Sequence, residues 1–146
     1  MASTGKTVLD RFRLDGKKAI VTGGGRGIGR GIALALAEAG ADVAIIYEKA
    51  KDRAEQVLAE VQAMGRTGSY VQQADVSVST DVQRMADEAE RRFGEIDILI
   101  NNAGIAHNAS AEDMTEAEWE RMIRMNLTSV FLCCQAVGRR RIRQKR

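Results

Sequence analysis

Apolar and polar positions along this chain follow two periods in alternation. Nearly continuous apolar runs at 17–22, 42–47 and 96–101 read as β-strands, and 68–73 is a weaker run of the same kind. Between and after them lie segments whose apolar positions recur every three to four residues, at 27–39, 49–64, 78–93 and 116–137. In 49–64 the stripe is Ala54, Val57, Leu58 and Val61. Gly40, Gly65 and Gly94 each follow a helical run, where a left-handed residue satisfies the last carbonyls. Ser77 is placed to cap the third helix, and Thr115 followed by Glu118 spells a capping box for the fourth. Trp119, Met122 and Met125 read as one packed face of that helix.

A strand feeding a helix feeding the next strand implies parallel pairing, because parallel strands need a long crossover. The runs at 17–22, 42–47 and 96–101 carry apolar residues on both alternating faces, as strands covered from both sides do. The 146 residues, 45% hydrophobic and 29% charged, fit one ordinary globular unit. No apolar run approaches the roughly 18–20 residues of a membrane helix, so no membrane partner is expected. The polar start does not read as a secretory signal, which points to the cytoplasm. Cys133 and Cys134 are adjacent and read as small buried helix residues in a reducing compartment.

Charge is unevenly spread. Six of the last eight residues are basic, and taking those six away turns the formal +2 into −4. Residues 1–138 therefore read as the folded unit and 139–146 as a basic tail, with 1–6 and 138–146 poorly ordered. An interrupted helix end explains the tail better than nucleic-acid binding, and no nucleic-acid partner is expected.

The chemistry gathers at turns. Gly23, Gly27 and Gly29 sit between the first strand and the first helix at Gly-x-x-x-Gly-x-Gly spacing. Such a turn lets bare backbone approach a diphosphate, while the helix N-terminus offers unpaired N–H groups and partial positive charge. Asn101-Asn102-Ala103-Gly104 directly follows the fourth strand. In a doubly wound sheet of strand order 3-2-1-4, strands 1 and 4 are neighbours at the point where the order reverses. The two turns then face each other across one cleft. Asp75-Val76 follows the third strand, where an aspartate can accept from an adenine amino group.

On these residues the chain resembles the short-chain dehydrogenase/reductase family. Thr22, Gly23, Gly27 and Gly29 match its Thr-Gly-x-x-x-Gly-x-Gly motif, and 101–104 match Asn-Asn-Ala-Gly. Asp75 matches the aspartate after strand 3, and Asn126 matches the helical asparagine of the catalytic set; the resemblance covers about 12–138. It implies an α/β, Rossmann-like doubly wound parallel sheet. It also implies hydride transfer between a nicotinamide dinucleotide and a carbonyl or alcohol of the polyol, sugar, steroid or 3-oxoacyl class. By resemblance, Gly23, Arg26, Gly27, Ile28 and Gly29 hold the phosphates, and Asp75 and Val76 the adenine. Asn101, Ala103 and Gly104 line the ribose and nicotinamide side, and Asn126 positions a water in a proton relay. Tyr47 stands where the family reads the adenosine ribose. Arg26, with Lys49 and Lys51 nearby, favours NADP; NAD stays open through Glu48.

The family's remaining machinery is a serine on a fifth strand and a Tyr-x-x-x-Lys on the next helix. The sequence ends after the helix carrying Asn126, which predicts a sheet truncated before the fifth strand and a coenzyme half that does not turn over alone. Tyr47-Glu48-Lys49-Ala50-Lys51 spells Tyr-x-x-x-Lys, but at the adenosine end of the site. A last helix without its neighbour leaves an apolar face bare, so a homo-oligomer through that helix is expected. The alternative is a non-catalytic nucleotide-binding or partner-binding module. Gly5-Lys6-Thr7 lacks the rest of a P-loop, the sequons at Asn108 and Asn126 read as chance, and His107 reads as a solvated loop residue. No Cys/His/carboxylate cluster has metal-ligand spacing, so no metal is expected.

Overall fold

In the computed structural model, which describes residues 7–145, a parallel sheet runs in the order β3-β2-β1-β4. Its strands are β1 (Lys18–Thr22), β2 (Asp42–Tyr47), β3 (Tyr70–Gln73) and β4 (Ile98–Ile100). The helices are α1 (Gly27–Ala39), α2 (Lys51–Ala63), α3 (Ser79–Phe93), α4 (Glu116–Ile123) and α5 (Ser129–Arg143), with a π-helical turn (Arg124–Thr128) between the last two. The expected loose start at 1–6, which includes two residues of the P-loop-like run, lies outside the described residues.

The alternation of β1 explains the layering. Ala19 and Val21 face α1 and α2, where they meet Ala33, Ala37, Ala54, Val57 and Val61. Ile20 faces α3 and α5, among Val82, Met85, Ala86, Ala89, Cys133, Ala136 and Val137. Both faces are covered, so polar alternation has no place in β1 or β2. Each fully buried Ile or Val contributes roughly 1.5–3 kcal/mol relative to exposure. Alanines dominate the inner face of α1, which brings that helix close to the strands. Lys18 pairs with Asp42 at 2.5 Å, and its N–H donates to Asp97 Oδ2 at 3.0 Å, tying the lower ends of β1, β2 and β4.

The expected caps are present in part. Gly40, Gly65 and Gly94 all have positive φ, at 117°, 82° and 74°. Thr115 and Glu118 form the reciprocal capping box of α4. Ser77 does not cap α3: its N–H and hydroxyl both donate to Asp75 Oδ1, at 2.9 and 2.7 Å, and Val78 stands at the cap position.

Four further expectations are corrected. β4 is half-buried throughout, because it is an edge of the sheet rather than a strand covered like β1. The helix expected to fade at 138 continues to Arg143. Arg140 holds it there, donating to Ala136 O and to Asp87 with Nε 3.3 Å from Glu90, while Arg143 pairs with Glu90 at 2.7 Å. Only one neighbouring cysteine is buried, Cys133; Cys134 is exposed on the adjacent face. Met125 packs against the core, but Trp119 is 57% exposed. No helix among the described residues is long and apolar enough to cross a membrane.

Candidate functional site

The order of strands turns around between β1 and β4, so the loops leaving their upper ends diverge and open a crevice. Thr22 closes its floor. Its buried hydroxyl donates to Ile100 O at 3.3 Å and accepts the N–H groups of Asn102 and Ala103, both at 3.0 Å. Asn102 Nδ2 donates to the carbonyls of Thr22 and Gly23, at 3.0 and 3.2 Å. The glycine turn and the Asn-Asn-Ala-Gly turn are thereby bolted together.

The glycines differ in what they permit. Gly23 has φ +64°, and a Cβ there would come within 3.1 Å of Ala103 Cα. At Gly29 a Cβ would lie 2.2 Å from Gly23 O and 2.5 Å from Asn102 Nδ2, so α1 can start this close to β1 only without a side chain. At Gly27, with φ +53°, a Cβ would meet nothing within 4 Å. Open space therefore lies beside the first turn of α1. That turn has no side-chain cap and no acidic residue, so the N–H groups of Gly27, Ile28 and Gly29 have no partner within the helix. An anion seated there would satisfy them and the helix dipole together.

This space belongs to a cleft of about 550 Å³, within the range of small-molecule sites. Gly23, Arg26, Gly27, Ile28, Gly29, Tyr47, Asp75, Val76, Ala103 and Gly104 all line it. So do Glu48 and Lys49 at the end of β2, and Ile105, Arg121 and Met125 at the opposite end. The last three were missed in the sequence, since which side of a helix faces a cleft depends on packing that periodicity does not report. Arg26 and Arg121 make no ion pair with a described residue, whereas Lys49 pairs with Glu48 at 3.0 Å and Lys51 with Glu55 at 3.5 Å. Tyr47 and Lys51 thus part company: the first lines the adenosine end, the second turns along α2.

Two predicted site residues stand outside the cleft wall. Asn101 donates through Nδ2 to Cys134 Sγ at 3.3 Å. Asn126, in the π-helical turn, spends its carboxamide on the main chain of Ile105: Oδ1 accepts the N–H and Nδ2 donates to the carbonyl, both at 2.9 Å. Its Oδ1 would also meet a Cβ at Gly104 at 3.1 Å, a reason for glycine there. π turns inserted in α-helices recur at functional sites. His107 is an exposed loop residue, as expected, with Nε2 3.0 Å from Glu118 Oε1. The Glu118 carboxyl is held below its ordinary range, first by the N–H and hydroxyl of Thr115 and then by His107. A second, larger groove of about 780 Å³ lies along β3 and α3, and none of the motifs above opens into it.

Comparison with known proteins agrees with this geometry. Residues 17–146 match the short chain dehydrogenase family model. A 3-oxoacyl-acyl-carrier-protein reductase of Staphylococcus epidermidis is 45% identical over 129 residues, which cover 88% of this chain and 52% of that protein. A D-threitol dehydrogenase of Mycolicibacterium smegmatis is 44% identical over 130 residues, covering 88% of this chain and 49% of that protein. The crystal structure of a short chain dehydrogenase from Burkholderia cenocepacia in complex with NADP superposes with a TM-score of 0.83 at 44% identity, over 87% of this chain and 51% of that one. The chain spans about half the length of the curated relatives it matches. Its order of strands, its paired turns and these likenesses agree: the chain belongs to the short-chain dehydrogenase family of oxidoreductases.

Proposed function

We propose that this chain is the coenzyme-binding half of an NADP-dependent oxidoreductase acting on a carbonyl or alcohol substrate. The observation that carries the reading is the uncapped first turn of α1, with unfilled space beside Gly27, facing the Asn-Asn-Ala-Gly turn across one cleft. The N–H groups of Gly27, Ile28 and Gly29 bind the diphosphate bridge. Asp75 and Val76 receive the adenine, and Tyr47 lies under the adenosine ribose. Arg26 and Lys49 favour the 2′-phosphate of NADP over the bare hydroxyl of NAD, with Glu48 the residue that argues the other way. The NADP complex of the Burkholderia protein supports the same choice.

Ala103, Gly104 and Ile105 line the nicotinamide end, and Met125 and Arg121 close its side. The nicotinamide, when bound, supplies the hydride acceptor or donor. Asn126 holds the main chain of Ile105, and we assign it the placing of a relay water at that end. Asn101 acts on the same end through its position before the cleft wall. The substrate class extends from 3-oxoacyl thioesters to polyols, the compounds named for the two relatives. A homo-oligomer through the exposed side chains of Trp119, Leu127 and Phe131 belongs to this reading, as does a reducing cytoplasmic setting for two free thiols.

The one Tyr-x-x-x-Lys run in the sequence, from Tyr47 to Lys51, stands at the adenosine end of the cleft, so in this reading the 146 residues bind without turning over. The test is to mix the chain with NADPH and a panel of 3-oxoacyl esters, ketoses and steroid ketones. Quenching or enhancement of NADPH fluorescence with no oxidation supports the reading. Steady oxidation matching that of full-length relatives would show that these residues suffice for catalysis, and a lack of any optical change would favour a partner-binding module.

A further inference from the structure

One side chain joins the adenine-side loop to the π-helical turn. Arg124, the first residue of that turn, donates through Nε to the carbonyl of Ser77 at 2.7 Å. Ser77 donates its N–H and hydroxyl to Asp75 Oδ1, at 2.9 and 2.7 Å, and Asp75 stands in the cleft wall beside Val76. Beyond Arg124 the turn carries Met125, which lines the other end of the cleft, and Asn126, which grips both main-chain groups of Ile105. Main chain and hydrogen bonds thus run unbroken from Asp75 to Ile105. Arg124 makes no ion pair with a described residue, so its guanidinium is not held by a carboxylate elsewhere.

We propose that Arg124 is a positioning residue that couples the two ends of the coenzyme cleft; the proposal rests on the coenzyme reading above. An adenylate seated against Asp75 and Val76 steadies Ser77. Through Arg124 that order passes to the π turn, and through Asn126 it reaches Ile105 at the nicotinamide end. A π turn closes a wider hydrogen-bonded ring than the α-helices flanking it, so its placement depends on what tethers it. The dinucleotide then binds its second half into a wall that its first half has ordered, which is a coupling free energy between two parts of one site.

The probe is 2′,5′-ADP, the adenylate half of NADP, and the readout is amide hydrogen exchange on the 146-residue chain. In the wild type it slows exchange at Gly27–Gly29 and also, by about fivefold, at Ile105 and residues 124–128. In Arg124→Ala the slowing at 27–29 persists while that at Ile105 and 124–128 falls below about twofold. Arg124→Lys recovers part of it, because a single donor suffices for one carbonyl. NADPH affinity drops about 3- to 10-fold in Arg124→Ala, the scale of one lost hydrogen bond, and 2′,5′-ADP affinity changes far less. Protection confined to 27–29 in the wild type, or equal protection at Ile105 in wild type and Arg124→Ala, overturns the coupling and leaves the coenzyme reading intact. An absence of 2′,5′-ADP binding in folded protein overturns both.

Discussion

Asn102 donates twice to Thr22, through its main-chain N–H to the hydroxyl and through Nδ2 to the carbonyl, both at 3.0 Å. It is therefore a brace between β1 and the turn after β4, although it lines the coenzyme cleft. Asn102→Ala leaves the Thr22 and Gly23 carbonyls without their side-chain donor. The expected cost is about 1–3 kcal/mol. Thermal unfolding followed by circular dichroism then moves down by roughly 2–5 °C for each kcal/mol. An unchanged midpoint would mean that the brace is dispensable.

Gly27 and Gly29 separate binding from folding. Gly29→Ala drives a methyl into backbone at 2.2 Å, and overpacking of that kind costs about 1–3 kcal/mol or more. Gly27→Ala meets no neighbour and bears only the strain of a positive φ, about 1 kcal/mol. The second variant, and not the first, keeps most of its stability while losing NADPH affinity, because its methyl stands where the diphosphate goes. Paired melting curves and NADPH titrations check this contrast. Equal affinity in Gly27→Ala and wild type would contradict it.

The coenzyme choice is tested at Arg26 and Lys49. Replacing both by alanine lowers NADP affinity by at least about tenfold, since each contact to a phosphate dianion is charge-assisted. NAD affinity stays within about twofold, because a hydroxyl draws little from either cation. Competition binding with the two coenzymes measures the ratio, and parallel loss of both would assign these cations to something other than the 2′-phosphate.

Much of this arrangement was legible in the sequence, and the places where it was not share a cause. The bounds of α1 and β2 agree residue for residue with the expected 27–39 and 42–47, because glycine or an apolar run marks each end. Strand 96–101 shortens to Ile98–Ile100 because Asn102 bonds Thr22 and Asp97 turns its carboxylate to the N–H of Lys18, both contacts from distant sequence. The extension of α5 to Arg143 rests on Asp87 and Glu90 of α3, which no local pattern could report. The π turn at Arg124–Thr128 escapes a 3.6-residue period, yet it is where Asn126 sits. Ten of the cleft-lining residues are those that the family resemblance carried over from its turn motifs, whereas Arg121, Met125 and Ile105 reach the cleft only through packing.

The two neighbouring cysteines should behave differently. Burial first, and then its neighbour Cys134, pushes the Cys133 thiol up to about 11. An alkylating reagent at pH 8 therefore labels Cys134 and spares Cys133 in the folded chain, with mass spectrometry of the peptides as the check. The raised value also sets a sign. The folded state keeps the proton that the unfolded state releases near the ordinary 9.0, so this contribution to stability is whole below pH 9 and is lost as pH rises through about 11. Stability that grew from pH 9 to 11 in a Cys133-dependent way would contradict the burial.

Isothermal titration calorimetry of the folded 146-residue chain with NADPH reads the central claim most directly. One molecule per chain should bind, with affinity above that for NADH and strongly reduced in Gly27→Ala. Folded chain that releases or absorbs no heat with either coenzyme would contradict the account at its root.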